Sequence, residues 1–193
     1  MSVMEKRRFL LHVCCAPCSV HPLRELKNEF DVTLYFYNPN IHPEVEYARR
    51  LGEAERVASI EGLPMLVGEY RHEEWTKTAR LWRDEPERGK RCEFCIGDRL
   101  TETARKADEL GFGVFGTVLT LSRLKSSIMI NGLGETSAKN FAGIEFHVAD
   151  WKKRDGSNIA AKISDELGLT RQNYCGCEYS VRPPKAASVA TRG

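Results

Sequence analysis

Seven cysteines fall into three tight groups: Cys14, Cys15 and Cys18; Cys92 and Cys95; and Cys175 and Cys177. Cys15-Ala-Pro-Cys18 and Cys92-Glu-Phe-Cys95 are C-x-x-C steps, a spacing that lets both sulfurs of one turn face a single metal ion. Placed at a helix N-terminus, such sulfurs are further biased toward the thiolate that metals and nucleophiles require. Four thiolates suit tetrahedral zinc or an iron-sulfur cluster, since both take soft sulfur ligands, and the spacing does not separate the two. A closed zinc knot, or small buried hydrophobes, is the plain structural alternative for Cys92 and Cys95. Cys18 stands apart, because a cluster needs only four protein ligands and Cys14 can fill that place. Cys175-Gly176-Cys177 differs in kind. Its central glycine permits a tight, strained disulfide, and strained disulfides cycle readily. Free thiols, or added ligands to the same metal, are the alternative. A dithiol carries two electrons and two protons, so a site holding it together with a one-electron centre could perform a net two-electron reduction.

These groups need elements to position them. Arg8 to Val13 and Phe30 to Tyr37 read as strands, and Val20, Leu23 and Leu26 recur at helical spacing within Ser19 to Glu29. The opening is therefore a βαβ unit with the first cysteines at its strand-to-helix turn, the usual ligand edge of a parallel sheet. The alternation continues through a helix at Glu44 to Gly62, a strand at Pro64 to Val67, and helices at His72 to Trp82 and Ile96 to Leu110. Strands at Val114 to Leu119 and Glu145 to Ala149, a short helix at Ser137 to Ala142 and a helix at Ser157 to Leu167 complete it. The expected fold is a doubly wound α/β domain over residues 1–182, a mostly parallel five-stranded sheet with helices on both faces. Residues 183–193 read as a flexible tail. A crevice at the carboxyl ends of the strands would then collect the loops after strands one and four, with the loop before helix Ile96 and that after helix Ser157 within reach.

With 193 residues, 41% hydrophobic and 29% charged, the chain needs no staple merely to fold, so its cysteines call for another explanation. No apolar stretch approaches the roughly 20 residues that cross a bilayer, and no signal-peptide cleavage pattern follows the N-terminus. A cytoplasmic location without membrane contact is expected, where thiols stay reduced. A net charge of +2 neither proves nor excludes a nucleic-acid partner.

Four motifs extend the cysteine pattern: His12-Val-Cys-Cys-Ala-Pro-Cys-Ser19, Tyr37-Asn-Pro-Asn-Ile-His42, Arg91-Cys-Glu-Phe-Cys95 and Tyr174-Cys-Gly-Cys-Glu-Tyr-Ser180. In this order the chain resembles the cobalamin-independent epoxyqueuosine reductases, the QueH-type enzymes of queuosine biosynthesis in tRNA. The resemblance implies reduction of the epoxide of epoxyqueuosine, at the tRNA wobble position, to queuosine with release of water. It implies a 4Fe-4S cluster on Cys14, Cys15, Cys92 and Cys95, a redox-active disulfide at Cys175 and Cys177, and an additional iron for which Cys18 and Asp98 are candidate ligands. It also implies tRNA as partner and an external electron donor, since no flavin, nicotinamide or cobalamin motif is visible. The implied fold is similar to nucleotide-binding ATP-pyrophosphatase-like domains of tRNA-thiolating enzymes. Their Ser-Gly-Gly-x-Asp-Ser loop is replaced here by Cys14-Cys-Ala-Pro-Cys-Ser19, in which Pro17 removes an amide donor, so ATP use is not expected. The alternatives are a zinc-stabilised tRNA-binding module and an iron-sulfur tRNA thiolation enzyme.

Among the remaining residues, His12 and His42 are candidate proton donors or hydrogen-bonded structural histidines. Tyr37, Asn38 and Asn40 either meet a nucleobase or simply form a turn. Arg88, Lys90 and Arg91, with Lys152, Lys153 and Arg154, are a candidate phosphate footprint or ordinary surface charge. Trp151 and Tyr174 are candidate stacking rings or core.

Overall fold

The structure, a computed structural model, describes residues 5–181. The tail expected at 183–193 lies outside them. The first half runs β1 (Arg8–His12), α1 (Ala16–Glu29), β2 (Asp31–Phe36), α2 (Glu44–Glu61), β3 (Met65–Val67) and α3 (His72–Ala79). The second half runs α4 (Lys90–Glu109), β4 (Val114–Thr117), α5 (Ser127–Ala138), β5 (Glu145–Phe146) and α6 (Gly156–Glu166), with short 3-10 turns between some elements. All strand pairings are parallel, in the order β3-β2-β1-β4-β5. The chain winds outward from β1 to β3 and then returns to the other side of β1, so the winding reverses between β1 and β4. A crevice opens at such a reversal, outside the carboxyl ends of the strands.

The sequence of β1 explains the two-sided burial. Phe9 and Leu11 point into one core with Val32, Leu34 and Phe36 and with α1, α2 and α6, whereas Leu10 joins Tyr35, Phe115 and the apolar faces of α4 and α5 on the other side. A parallel strand covered on both faces must be apolar at consecutive positions, as Phe9-Leu10-Leu11 is. The five expected strands and the doubly wound layout are all present, although β4 and β5 are shorter than their apolar runs suggested.

Three helix boundaries differ from expectation, and two of them bear on the cysteines. Helix α1 begins at Ala16 rather than Ser19, with Pro17 in the first turn, where no intrahelical N–H is needed. Helix α4 begins at Lys90 rather than Ile96, so Cys92 and Cys95 lie inside its opening turns. Helix α5 spans Ser127–Ala138, where only a short helix at Ser137 to Ala142 was expected, and Ser126 caps it by accepting from the Met129 amide. Gly132 and Gly134 hide this helix from a propensity reading. Gly134 is needed for packing, because a Cβ there would run into the Phe146 ring of β5. Gly134→Ala is therefore expected to destabilise the fold by about 1–3 kcal/mol, measurable as a lowered thermal midpoint with the metal-free protein.

Candidate functional site

The crevice at the reversal is lined by all seven cysteines. Cys14, Cys15 and Cys18 arrive on the turn from β1 into α1, Cys92 and Cys95 on α4, Cys175 and Cys177 on the segment after α6, and Leu119 to Met129 on the chain after β4. The four chain segments expected to meet there do meet. All seven cysteines are free thiols in the structure.

Local geometry fixes each group. Cys15 is the N-cap residue of α1 and Cys18 lies one turn further on, so the opening amides of the helix favour negative charge on their sulfurs. The sulfurs of Cys14, Cys15 and Cys18 all lie within 4.8 Å of one another. Without a cation these thiols compete for a single charge. Contacts from Cys15 and Cys18 pull the Cys14 thiol well below its usual range. The same sharing pushes Cys15 well above it and Cys18 up to about 12. Burial pushes Cys95 up to about 12. On α4 the Arg88 amide donates to Cys92 Sγ at 3.2 Å. Thiols crowded this closely, with Cys15 and Cys18 pushed toward the protonated form while Cys14 takes the charge, are what a thiophilic cation would relieve, since metal binding deprotonates its ligands.

Among the cations that line this pocket are Arg99 and Lys125. Arg99, one turn beyond Cys95 on the same face of α4, is only 2% exposed. It donates from Nε to the Cys95 carbonyl at 3.0 Å, while its Nη2 is buried with no hydrogen-bond partner. Lys125, on the chain after β4, donates from Nζ to Cys175 Sγ at 3.2 Å. Burial opposes its charge, yet the Cys175 and Cys14 sulfurs hold it above the ordinary lysine range. Among the described residues neither cation forms a salt bridge with a carboxylate. The soft donor set and the two cations beside it both fit an anionic thiolate-bound metal centre.

The Cys175-Gly-Cys177 segment is held by its backbone. Gly176 has φ +137, and a Cβ there would press on Asn40, Ile41 and Arg50 at 3.1–3.3 Å, so only glycine lets the loop lie this close to the β2–α2 turn. Its carbonyl accepts from the His42 amide at 2.8 Å. Arg50, paired with Glu46 at 2.7 Å, donates to the carbonyls of Cys175 and Tyr174 at 3.0 and 3.2 Å. Arg50→Met is expected to destabilise the protein by about 2 kcal/mol and to speed hydrogen exchange across 174–177 ahead of the sheet, as read by mass spectrometry.

Other expected residues sort clearly. His12 is fully buried on β1, and its Nε2 lies 3.1 Å from the Tyr37 carbonyl while Nδ1 meets Thr117 Oγ1 at 3.0 Å. Burial and then Arg99 lower its pKa to about 4, so it is a neutral structural residue. Asn38 is also structural, donating to the Val13 carbonyl at 2.9 Å, whereas Asn40 lines the crevice with its Oδ1 unpartnered. His42 stacks on His72 outside the lining. Arg91 leaves the phosphate footprint: it is 2% exposed and its Nη1 donates to the carbonyls of Trp82, Arg83 and Glu85. Lys152 is likewise engaged, with Asp150 and the Thr120 carbonyl, while Arg88 is exposed on the crevice rim and Lys90, Lys153 and Arg154 are exposed. Trp151 donates to the Thr117 carbonyl away from the crevice, and Tyr174 lines it. Cys18 lines the crevice but Asp98 does not; burial raises the Asp98 pKa, its Oδ2 has no partner, and its charged neighbours are Arg99, Glu102 and Arg71. Sequence reading missed Arg99, Arg50 and Lys125. The i,i+4 step from Cys95 was a usable signal for Arg99, whereas nothing local marks Lys125.

A family model described as epoxyqueuosine reductase QueH matches residues 9–183. A relative of that name from Histophilus somni is 40% identical over 176 residues, covering 91% of this chain and 72% of its own. One from Thermotoga maritima is 36% identical over 188 residues, covering 95% of this chain and 96% of its own. Among solved structures, a predicted subunit of tRNA methyltransferase from Methanocaldococcus jannaschii superposes with a TM-score of 0.53 at 15% identity, over 92% of this chain and 94% of that one, a likeness of fold.

Proposed function

The chain belongs to the epoxyqueuosine reductase QueH family, and from that premise we propose that it reduces epoxyqueuosine at the tRNA wobble position, using an iron-sulfur centre and a redox-active cysteine pair. It is an oxidoreductase of queuosine biosynthesis. The reaction adds two electrons and two protons to the epoxide, breaks both C–O bonds, and yields an alkene and water.

The observation that carries the reading is the meeting of three cysteine groups, remote in sequence, in one crevice at the carboxyl edge of the sheet. Cys14, Cys15, Cys92 and Cys95 would hold a 4Fe-4S cluster, and Cys175 and Cys177 would form the dithiol. Bound there, the cluster supplies electrons singly and an added iron supplies a Lewis acid for the departing oxygen. Cys18 is supported as a ligand of that iron by its place in the thiol triad, and Asp98 only by its unpartnered buried oxygen. The chain's own groups shape the rest of the site. Arg99 and Lys125 compensate negative charge, Arg50 fixes the dithiol loop, and Asn40 and Tyr174 offer an acceptor and a ring to an inserted base. Arg88 on the rim suits a passing phosphate. Among the described residues no helix is long and apolar enough to cross a membrane. The reading places the enzyme with its tRNA in the cytoplasm and takes electrons from an external donor.

The test is anaerobic purification with iron, zinc and sulfide analysis, followed by incubation with epoxyqueuosine-containing tRNA and a strong reductant, then nucleoside mass spectrometry. Iron with matching sulfide, and loss of one oxygen mass from the nucleoside, are expected. Zinc alone with an unchanged nucleoside would replace this reading with a zinc-stabilised RNA-binding module.

A further inference from the structure

The two sulfurs of the Cys175-Gly-Cys177 segment stand in unlike surroundings. Cys177 is buried, with its Sγ 3.5 Å from the neutral Ser180 hydroxyl. Cys175 is half-buried and receives the Lys125 ammonium at 3.2 Å. That ammonium comes from the chain after β4, on a loop tied down by its own bonds: the Lys125 amide donates to the Ser122 carbonyl at 3.2 Å and the Leu124 amide to Ser122 Oγ at 3.3 Å. A lysine kept for packing or charge balance would be expected to reach a carboxylate or a carbonyl, and the described hydrogen bond of this Nζ goes to a sulfur instead. Hydrogen bonds from a charged donor are roughly twice as strong as neutral ones, so the pair is built unequal.

We propose that Lys125 is a positioning residue of this site, an ammonium that holds Cys175 as the thiolate end of the Cys175–Cys177 pair and so determines which sulfur reacts first. The inference rests on the redox reading of that pair. When the pair is oxidised, a bond forms between Cys175 Sγ and Cys177 Sγ and two electrons pass to the epoxide, whose oxygen leaves as water with the Cys177 thiol proton and one further proton from solvent. The external reductant reverses the step. Lys125 meets a Cys175 thiolate only in the reduced state, so it stabilises the dithiol relative to the disulfide.

The consequence is measurable without turnover. The full chain, purified anaerobically as wild type, Lys125→Met and Lys125→Arg, is equilibrated in glutathione redox buffers, quenched, alkylated and mapped by mass spectrometry at 175–177. In Lys125→Met the thiol–disulfide equilibrium is expected to move about tenfold toward disulfide, about 30 mV more negative. Cys175 should also lose its lead over Cys177 in alkylation at pH 7. Lys125→Arg should restore both within about threefold, since it keeps a charged donor. Replacing a part-buried charge by methionine of similar length is compatible with folding, and the arginine variant covers the contrary case. An unchanged equilibrium and labelling order in Lys125→Met would overturn the inference and leave the redox pair standing. Failure of the wild type to form a Cys175–Cys177 disulfide in any buffer would overturn both.

Discussion

Cys95→Ser protein, purified without oxygen, is expected to lose the iron and sulfide of the wild type and to reduce epoxyqueuosine at least about 100-fold more slowly. Loss of an outer-shell partner alone typically costs 10–100-fold in metal affinity or activity, and here a ligand itself is removed. The residue is 7% exposed on α4. Serine at this position gives a hard, weakly acidic oxygen where a soft thiolate is needed. The fold should survive, because α4 is anchored by Ile96, Leu100, Ala104 and Ala107 in the core beneath it. Circular dichroism should therefore match the wild type while the brown colour is lost. Cys18→Ser is the companion measurement. If Cys95→Ser keeps its iron and sulfide and Cys18→Ser loses them, the fourth ligand belongs to the β1–α1 turn, where Cys18 already shares the sulfur triad.

How much of this was legible beforehand follows from the range of the signals. Apolar runs such as Phe9 to Leu11 and turn residues such as Gly62 and Gly168, both at positive φ after a helix, are local, and they marked strands and helix ends correctly. The meeting of the cysteine groups was legible for a different reason, since a doubly wound sheet reverses at one place and gathers its loops there. Helix α5 was misread because its Gly134 serves a tertiary contact with Phe146, which no propensity scale contains. Arg91 was misread in the same way: a basic residue beside a cysteine pair resembles a phosphate contact until it is seen buried, with its Nη1 donating to the carbonyls that end the turn at Arg80–Trp82. Lys125 and Arg50 act across sequence separations of 50 and 125 residues, and only the fold brings them to Cys175.

Cys175→Ser separates the dithiol from the metal ligands. The variant should keep wild-type iron and sulfide, since the four cluster thiolates are untouched, and should lose turnover by at least about 100-fold. A serine oxygen accepts the Lys125 hydrogen bond and preserves the loop held by Arg50 and the His42 amide, so a loss cannot be charged to a displaced backbone. What it cannot do is form a disulfide. Cys177→Ser should give the same loss, because half a dithiol stores no electron pair whichever half is missing. The decisive comparison is the double variant. If the two sulfurs act as one unit, the double loss equals either single loss, a large departure from additivity for residues this close. If the losses instead multiply, the sulfurs work independently, as two separate ligands or contacts would. If Cys175→Ser retains full turnover together with its metal, the cysteine pair takes no part in the reduction and both electrons come by way of the metal site.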